Sequence, residues 1–570
     1  MNWGPVRMRD GRWQFRLWAP TVTKLTLELA GREPAAMADR GGGWFAVTVE
    51  ARPGDRYRFR VSKERAVPDP ASRAQAGDVH GWSVVVDPDS YGWRTDGWRG
   101  RPWEQAAIQE LHVGLLGGFA GVARELPRLS ALGITAVELM PVADFPGRRN
   151  WGYDGVLPYA PASAYGTPDE LKALVDRAHE LGLMVLLDVV YNHFGPEGSH
   201  LASYAPEFFH PEVATPWGAA IAFDEEPVRQ FFLDNALMWL NEYRFDGLRL
   251  DAVHSIKDET FVDVLRQTVR EKVGSGRHVH LVLENEHNDA GLLQDGYDAQ
   301  WNDDFHNTGH VLLTGETDGY YADFAERPAE KLARCLAEGF VYQGDTSPGS
   351  GKPRGTRSGE LPMSCFVAFL QNHDQVGNRA CGERLTVLTS SDRLRAATAL
   401  LLLCPQVPLI FMGDETGSRS PFLFFTDFED GLADAVREGR RAEFARFPAF
   451  ADAAARAKIP DPNDPATFER SRPEPGPDAG EWMQLYRDLL ALRARTIAPR
   501  LAGARGIGAE AIGGGAVLAR WRLADDAVLT LFVNLGAASV DPPELPDSEP
   551  IFALGGNGAP GSFGAWLGNE

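Results

Sequence analysis

The chain has 570 residues, of which 44% are hydrophobic and 24% are charged, a composition typical of a globular protein with roughly two to four domains. Its formal net charge of −22 argues against nucleic acid or an acidic membrane as a partner, and it leaves a neutral sugar open. The first residues carry no apolar signal core, and no run of 18 apolar residues occurs. We therefore expect no membrane partner and a cytoplasmic location. The four cysteines lie far apart without metal-like spacing, so we expect reduced thiols.

Residues 1–92 predict a small β-sandwich. Four stretches alternate apolar with polar residues, and Gly, Pro and Asp separate them. These stretches are residues 13–18, 24–29, 44–49 and 57–61. The tryptophans of this region have two explanations, ligand binding and core packing, and core packing is the simpler one.

From Ile108 onward, strands and helices alternate, which is typical of a parallel α/β architecture. Eight strands are predicted, at residues 108–114, 134–142, 183–193, 245–253, 279–285, 298–305, 366–374 and 407–413. The expected fold is multidomain, with a central (β/α)8 barrel over residues 104–495. Thr167, Pro168 and Glu170 form a capping box that predicts a helix start. The insert at residues 195–226 is too long for an ordinary loop, and we expect it to form one wall of a cleft.

The end of the chain predicts a small C-terminal β-domain over residues 500–570. Residues 460–477 are rich in Pro, Asp and Glu and are interpreted as an extended loop. A helix through Trp482 and Leu489 is predicted next. Two strands, at residues 517–521 and 528–533, follow it.

Four of the predicted barrel strands end in groups suited to acid–base chemistry. These groups are Asp188 with His193, Arg249 with Asp251, Glu284, and His373 with Asp374. Parallel barrels carry catalytic groups at the C-terminal ends of their strands. Arg249 and Asp251 point the same way along a strand, and the arginine keeps the carboxylate ionised. Taken alone, this pair is equally well explained as a structural ion pair.

In this order the four blocks resemble the signature regions of the alpha-amylase superfamily of glycoside hydrolases. The resemblance implies retention of configuration, with Asp251 as the nucleophile and Glu284 as the acid/base. Their carboxyl carbons are then expected about 5–5.5 Å apart. A carboxyl at the end of an apolar strand is desolvated, which raises its pKa and suits Glu284 to the acid role. Asp374 matches the third carboxylate of the superfamily, which binds sugar hydroxyls.

The resemblance also implies a substrate-binding set. His193 and His373 match histidines that hydrogen-bond the sugar in the −1 subsite, Tyr153 matches an aromatic residue stacked under that sugar, and Asp154 matches its supporting carboxylate. The complete set is Arg249, His193, His373, Tyr153, Asp154, His254 and Trp217. For Trp217 and His254, packing and support explain the residues nearly as well as contact with substrate.

Finer stretches are similar to the maltooligosyltrehalose trehalohydrolases, a family within the superfamily. They lie at residues 300–306, 313–321, 369–379 and 420–427. The resemblance implies cleavage of the α-1,4 bond that joins a maltooligosaccharide to a terminal trehalose. It implies an α-1,4-glucan ending in trehalose as the partner, with Trp217 and His254 at the trehalose. It also implies a functional pairing with maltooligosyltrehalose synthase.

No cofactor and no catalytic metal are expected. Asn192 stands where many alpha-amylases bind structural calcium, but calcium takes about six to eight oxygen ligands, and the sequence does not supply such a set. Two other functions remain open. A glucan-branching enzyme shares the layout and the three carboxylates, and it transfers the sugar to a hydroxyl group in place of water. A catalytically silent glucan-binding barrel is the other, and the presence of Asp251, Glu284 and Asp374 argues against it.

Overall fold

The computed structural model describes residues 3–556 and 558–568. Its N-terminal part contains two antiparallel sheets. The first has the strand order Val6–Arg7, Trp13–Trp18, Trp44–Val49 and Ala38–Asp39. The second has the order Ala35–Ala36, Thr26–Leu29, Arg56–Arg60, Trp82–Val84 and Gln75–Ala76, with Ala66–Val67 paired to Arg56–Arg60. The sheets pack through alternate apolar side chains, as when the ring of Phe15 meets that of Tyr57 at 4.8 Å. The four strands predicted for this region all form.

The middle of the chain forms a closed parallel barrel of eight strands, which confirms the predicted fold class. In chain order the strands are β1 (Ile108–Leu111), β2 (Ala136–Leu139), β3 (Met184–Val189), β4 (Gly247–Leu250), β5 (His280–Leu283), β6 (Ala299–Trp301), β7 (Phe366–Phe369) and β8 (Val407–Phe411). Each strand is buried on both faces, which is why its sequence is an almost continuous apolar run.

Every barrel strand lies inside a predicted one, but most end several residues earlier than predicted. The strand predicted at residues 366–374 ends at Phe369, and His373–Gly377 forms a short helix. The strand predicted at residues 245–253 is only Gly247–Leu250. Beyond these ends the backbone leaves the strand conformation, since Ala252 is left-handed at φ +42° and His373 begins a short helix.

The barrel helices bury one apolar stripe each against the strands. The helices of the chain are Gly118–Leu132, Pro168–Glu180, Glu226–Leu237, Glu259–Lys272, Ala290–Gln294, Asp303–Thr314, Pro328–Glu338, Leu385–Leu388, Ser391–Leu403, Asp430–Phe444, Ala453–Arg456, Pro465–Arg470 and Ala479–Leu492, besides His373–Gly377. The capping box is confirmed, since the hydroxyl of Thr167 accepts the amide of Glu170 at 3.2 Å and the Glu170 carboxylate accepts the amide of Thr167 at 2.7 Å.

The prediction of an extended loop over residues 460–477 is wrong in part. A helix, Pro465–Arg470, lies inside it. The side chain of Asp464 accepts the amide of Ala466 at 2.8 Å, and Pro465 occupies the first helical turn. An aspartate followed by proline is a helix-start signal that the Pro-rich composition concealed.

The insert after β3 contains a two-stranded hairpin, Phe209–Thr215 with Gly218–Ile221. The N-terminal sheets support its base. The ring of Trp18 lies 5.6 Å from that of Phe208, and Thr21 donates a 3.0 Å hydrogen bond to the carbonyl of Tyr204. The hairpin tip is therefore fixed relative to the end of β3, where it carries Trp217.

The chain ends in a five-stranded antiparallel sheet. Its order is Arg505–Ile512, Ala516–Arg522, Val528–Asn534, Phe563–Gly568 and Phe552–Leu554. Trp521 of this sheet donates a 2.7 Å hydrogen bond to the carbonyl of Leu336 on a barrel helix. Within the described ranges, no helix is both long and apolar enough to cross a membrane.

Candidate active site

Side chains inside the barrel form layers of four, contributed by alternate strands. The pairing register shows which residues of neighbouring strands lie side by side. Because the strands are tilted, residues at equal height along the barrel axis are shifted by roughly one position from one strand to the next. The odd strands give an upper layer of Glu110, Asp188, Glu284 and Phe369, and the even strands give a lower layer of Glu138, Arg249, Trp301 and Leu409. Asp251 and Asp303 follow two residues after Arg249 and Trp301, so they lie above these layers at the open end of the barrel.

Asp251 is placed by two hydrogen-bond donors. Nη1 of Arg249 donates to its Oδ1 at 2.7 Å, and Nδ2 of Asn192 donates to its Oδ2 at 2.8 Å. Burial by itself raises the pKa of Asp251, but the charge of Arg249 and the hydrogen bond from Asn192 outweigh burial and lower it. The carboxylate is therefore ionised at neutral pH.

Glu284 lies on the other side of the same guanidinium in a different environment. Its Oε2 accepts the backbone amide of Ala252 at 2.6 Å and lies 3.8 Å from Nη2 of Arg249, beyond hydrogen-bond distance. Burial raises the pKa of Glu284 well above its usual value, and the charge of Asp251 raises it further against the opposing charge of Arg249. The raised pKa favours the protonated form of this carboxyl.

Arg249 is fully buried and connects Asp188 of the upper layer with Asp251 above it. Besides Asp251, its Nη1 donates to both oxygens of Asp188 at 2.9 and 2.8 Å. The guanidinium carbon lies 4.2 Å from the ring centroid of Trp301. An arginine held by carboxylates on one edge and an indole on its face has little freedom to move.

His373 is held as a cation beneath the site. Its Nδ1 donates to Oε1 of Glu110, and its backbone amide donates to Oε2 of Glu110 at 2.9 Å. Burial lowers the pKa of His373, but Glu110 and then Asp374 raise it to about 9. With both ring nitrogens protonated, Nε2 donates to the hydroxyl of Tyr153 at 2.8 Å.

Tyr153 links His373 to Asp188 through its hydroxyl group. Its hydroxyl donates to Oδ2 of Asp188 at 2.6 Å, and its ring stacks on His373 with centroids 5.0 Å apart. The sequence predicts Asp154 as the carboxylate that supports Tyr153, and the structure gives that role to Asp188. Asp154 instead accepts Nδ2 of Asn150 at 2.6 Å, because neighbouring residues on this turn point in different directions.

His193 and Trp217 form a wall beside Asp251. Nε2 of His193 donates to the carbonyl of Tyr153 at 2.9 Å. The indole of Trp217 stacks on the His193 ring with centroids 4.7 Å apart and an interplanar angle of 8°. Trp217 is nevertheless 46% exposed, so its other face is open to solvent.

Asp374 and His254 lie at the rim. The side chain of Asp374 is 46% exposed, and its Oδ1 lies 3.5 Å from Nε2 of His373. His254 lies two residues after Ala252, whose backbone is left-handed at φ +42°. Nε2 of His254 lies 3.8 Å from Oε1 of Glu286. Both side chains are positioned to meet a ligand that enters from the open end of the barrel.

Four polar residues of the site are absent from the predicted set: Glu110, Asp188, Asn192 and Asp303. Asp303 accepts Nε2 of Gln375 at 3.1 Å. Burial and the charge of Asp374 raise its pKa to about 7 against the opposing charge of Arg354. Asp188, Asn192 and Asp303 stand at or just after the end of a barrel strand, which is the signal that identified Asp251, whereas Glu110 lies inside β1 and has no such signal. In the described parts of the chain, no group of three or more His, Cys, Asp or Glu side chains is arranged to hold a metal ion.

Comparison with known proteins assigns this site to a family. Residues 71–205 match a family model described as the catalytic domain of alpha amylase, and residues 504–566 match a domain of unknown function, DUF3459. The chain is 42% identical to the malto-oligosyltrehalose trehalohydrolase of Saccharolobus solfataricus over 75% of this chain and 78% of that one. It is 40% identical to the enzyme of the same name from Deinococcus radiodurans, over 84% and 80% of the two chains.

A solved structure agrees with this assignment. A Salmonella typhimurium protein, determined at 1.4 Å, matches with a TM-score of 0.94 and 45% identity over 100% of this chain and 99% of that one. The barrel, its strand-end carboxylates and these matches define a glycoside hydrolase of the alpha-amylase family. Within that family, the chain belongs to the malto-oligosyltrehalose trehalohydrolases.

Proposed function

We propose that this enzyme hydrolyses the α-1,4 bond next to the terminal trehalose of a maltooligosyltrehalose, with retention, and releases trehalose and a maltooligosaccharide. The observation that carries the proposal is the placement of two buried carboxyl groups around one arginine, with Asp251 hydrogen-bonded to Arg249 at 2.7 Å and Glu284 3.8 Å from it. The pKa of Asp251 is lowered there and that of Glu284 is raised. A retaining glycosidase needs one ionised and one protonated carboxyl group on the two sides of the scissile bond.

In the first step, the Asp251 carboxylate attacks the anomeric carbon of the sugar in the −1 subsite. Glu284 gives its proton to the glycosidic oxygen, the bond to trehalose breaks, and the maltooligosaccharide remains as an ester on Asp251. In the second step, the ionised Glu284 takes a proton from water, and the resulting hydroxyl attacks the same carbon. The maltooligosaccharide leaves with a reducing end, and Asp251 is free again.

The surrounding residues support these steps electrostatically. Arg249 stabilises the negative charge of Asp251 before attack, and its hydrogen bond directs one oxygen of the carboxylate. The pair of Glu110 and His373 fixes the ring of Tyr153 through a 2.8 Å hydrogen bond. Tyr153 is assigned to the face of the −1 sugar, and the rim carboxylate Asp374 is assigned to its hydroxyl groups.

Trp217 and His254 are assigned to the trehalose side of the cleft. The exposed face of Trp217 is a flat apolar surface suited to a glucose ring, and its other face is fixed by His193. His254 follows the nucleophile by three residues and offers Nε2 at the rim. A disaccharide without a reducing end has only hydroxyl groups and sugar faces to recognise, which matches an indole and an imidazole.

Product analysis tests this function. The pure protein is incubated separately with maltotriosyl-trehalose and with maltopentaose, and the products are separated by chromatography. We expect trehalose and maltotriose from the first substrate and little turnover of the second. Asp251→Asn is the matched control, and it should release neither product. Glucose or maltose from both substrates would indicate a general α-1,4-glucan hydrolase, and new branch points without reducing ends would indicate a branching enzyme.

The substrate itself requires a supplier. We infer a functional pairing with an enzyme that turns the reducing end of a maltooligosaccharide into trehalose, a maltooligosyltrehalose synthase, and we infer that both act in the cytoplasm. The four free cysteines, of which Cys335 and Cys404 are buried, suit a reducing compartment. Cell fractionation with an antibody to the chain tests the location, and trehalose formation from maltopentaose only when both enzymes are present tests the pairing.

A further inference from the structure

The lower layer of the barrel interior holds more polar groups than its hydrogen bonds use. Glu138 of β2 points inward, because Ala136 belongs to the interior cluster, whereas Val137 and Leu139 belong to the outer core. The register places Glu138 beside Arg249 and Leu409, and across the layer from Trp301. The 4.2 Å contact between Arg249 and Trp301 agrees with this arrangement.

Five buried polar atoms of this layer have no hydrogen-bond partner among residues 3–556 and 558–568. They are Oε1 and Oε2 of Glu138, Nε and Nη2 of Arg249, and Nε1 of Trp301. Glu138 and Arg249 do not pair directly, since the closest carboxylate contacts of Arg249 are with Asp188, Asp251 and Glu284. An unpartnered buried polar atom costs about 1–3 kcal/mol, so a layer with five of them needs a further bonding group.

The five atoms are chemically complementary. Arg249 and Trp301 offer N–H donors, and the carboxyl of Glu138 offers oxygen atoms that can accept a hydrogen bond. A buried water is stable in a polar space where it makes about two to four hydrogen bonds. We propose that the lower layer binds water between Glu138, Arg249 and Trp301, and that Glu138 is a positioning residue that holds Arg249 beneath the nucleophile through this water.

Glu138 takes part as a neutral group. Its carboxyl is 1% exposed, and the neighbouring Glu110 and Asp188 already have His373 and Arg249 as their cationic partners. Burial raises the pKa of Glu138 well above its usual value, and the charges of Asp188 and Glu110 raise it further. A neutral carboxyl donates one hydrogen bond and accepts others, which allows it to bind water without a counter-ion.

The consequence concerns catalysis and rests on the proposed function. Nη1 of Arg249 donates hydrogen bonds to Asp188 and Asp251. The contacts of the other two nitrogens, Nε and Nη2, therefore determine how the guanidinium is rotated. Water held on Nε by Glu138 opposes that rotation. Without it, Nη1 can turn away from Asp251, and misplacement of a catalytic group by about 1 Å can cost roughly 10²-fold in rate.

A crystal structure of the unmodified protein at high resolution tests the water itself, whatever the enzyme cleaves. We expect ordered density within hydrogen-bond distance of Glu138 and of Arg249 or Trp301. A dry space, or a direct hydrogen bond between Glu138 and Arg249, would overturn the proposal. This outcome does not depend on the substrate, so a failure here is distinct from a failure of the proposed function.

Kinetics on three variants test the positioning role. Glu138→Leu removes the polar group at similar size, and kcat should fall about 10–100-fold with little change in KM, because Glu138 does not touch substrate. Glu138→Gln keeps a neutral donor and acceptor, so it should retain most of the kcat of the unmodified protein and leave the pH dependence of kcat/KM unchanged. Leu409→Met, in the same layer, changes packing without hydrogen bonds and should stay close to the original kcat.

Two results would contradict the positioning role. If Glu138→Gln is as impaired as Glu138→Leu, the layer needs a charge at Glu138 and the neutral group is refuted. If Leu409→Met loses as much kcat as Glu138→Leu, packing is responsible and not water. Should Glu138→Leu fail to fold, the comparison of Glu138→Gln with Leu409→Met and the density in the unmodified protein still decide the question.

Discussion

Asp251 and Glu284 lie near different terminal nitrogens of one guanidinium, and of the two only Asp251 receives a hydrogen bond from it. The bond from Arg249 to Asp251 is 2.7 Å, whereas the nearest approach of Arg249 to Glu284 is 3.8 Å. This asymmetry divides two buried carboxyl groups into an ionised and a protonated one. This difference of about one ångström agrees with the roles proposed for the two groups, Asp251 as nucleophile and Glu284 as acid.

The pH dependence of kcat/KM should be bell-shaped, with the acid limb from Asp251 and the alkaline limb from Glu284. Activity needs Asp251 ionised, above its lowered pKa, and Glu284 protonated, below its raised pKa. Arg249 lowers both values, so Arg249→Gln should move both limbs to higher pH and reduce kcat by about 10²-fold or more. Initial rates across the pH range measure this, with thermal melting at each pH as the control for folding. Limbs that move to lower pH would contradict the assignment.

Two substrates with different leaving groups should distinguish the role of Glu284 from that of Asp251. Glu284→Gln removes the proton donor, so turnover of maltotriosyl-trehalose should fall by roughly 10²–10⁴-fold. A maltosyl fluoride needs no protonation, and Glu284→Gln should form the ester on Asp251 from it, detectable by mass spectrometry of the intact protein. Asp251→Asn should form no ester from either substrate. An ester at any other residue would show that the nucleophile has been misassigned.

The pair of Glu110 and His373 predicts a pH-dependent contribution to stability. The pKa of His373 is raised from its ordinary 6.5 to about 9 in the folded chain. The resulting stabilisation is fully present below pH 6.5 and is lost as the pH rises through about 9. The gap in unfolding free energy between the unmodified protein and Glu110→Gln should be about 1–3 kcal/mol near pH 6 and should shrink towards pH 9.

Thermal and urea unfolding at pH 6, 7.5 and 9 measure this gap. Glu64→Gln is the matched control, because Glu64 is an exposed glutamate of the N-terminal region. Its small effect should not change with pH. A gap for Glu110→Gln that grows with pH would mean that His373 is not held as a cation.

The features of this molecule that can be predicted from the sequence are those set by residues close together in the chain. The barrel strands and the carboxylates at their ends are predictable, because a polar residue after a fully apolar run is a local feature. The Thr167 capping box is predictable for the same reason. Register between strands is not local, and it decides which side chains share a layer. Glu138 and Glu110 therefore look like ordinary alternation in the sequence, although they lie side by side inside the barrel.

The partner of Tyr153 shows the same limit. Asp154 is adjacent in sequence, whereas Asp188 lies 35 residues further along the chain and bonds the hydroxyl. Only the parallel pairing of β2 with β3 brings Asp188 close to the turn that carries Tyr153. The helix Pro465–Arg470 is a different case, since its start signal at Asp464 was local but was concealed by the surrounding prolines.

Trp217 should contribute to substrate binding and little to stability. Trp217→Ala should raise KM for maltotriosyl-trehalose by roughly 5–20-fold, about 1–2 kcal/mol of lost stacking, with a smaller change in kcat. Ile507→Ala is the control, since Ile507 is 44% exposed, like Trp217 at 46%, but lies in the C-terminal sheet. Both variants should melt close to the unmodified protein. Equal KM values for the two variants would remove Trp217 from the substrate-binding set.

The most direct test of the account follows a single reaction by proton NMR. Maltotriosyl-trehalose is mixed with the enzyme, and the anomeric signals are recorded before the new reducing end can mutarotate. A retaining cut next to trehalose predicts free trehalose and, at first, only the α-anomer of maltotriose. If the β-anomer of maltotriose forms first, Asp251 is not a covalent nucleophile. If glucose appears in place of trehalose, the cleaved bond is not the one assigned here.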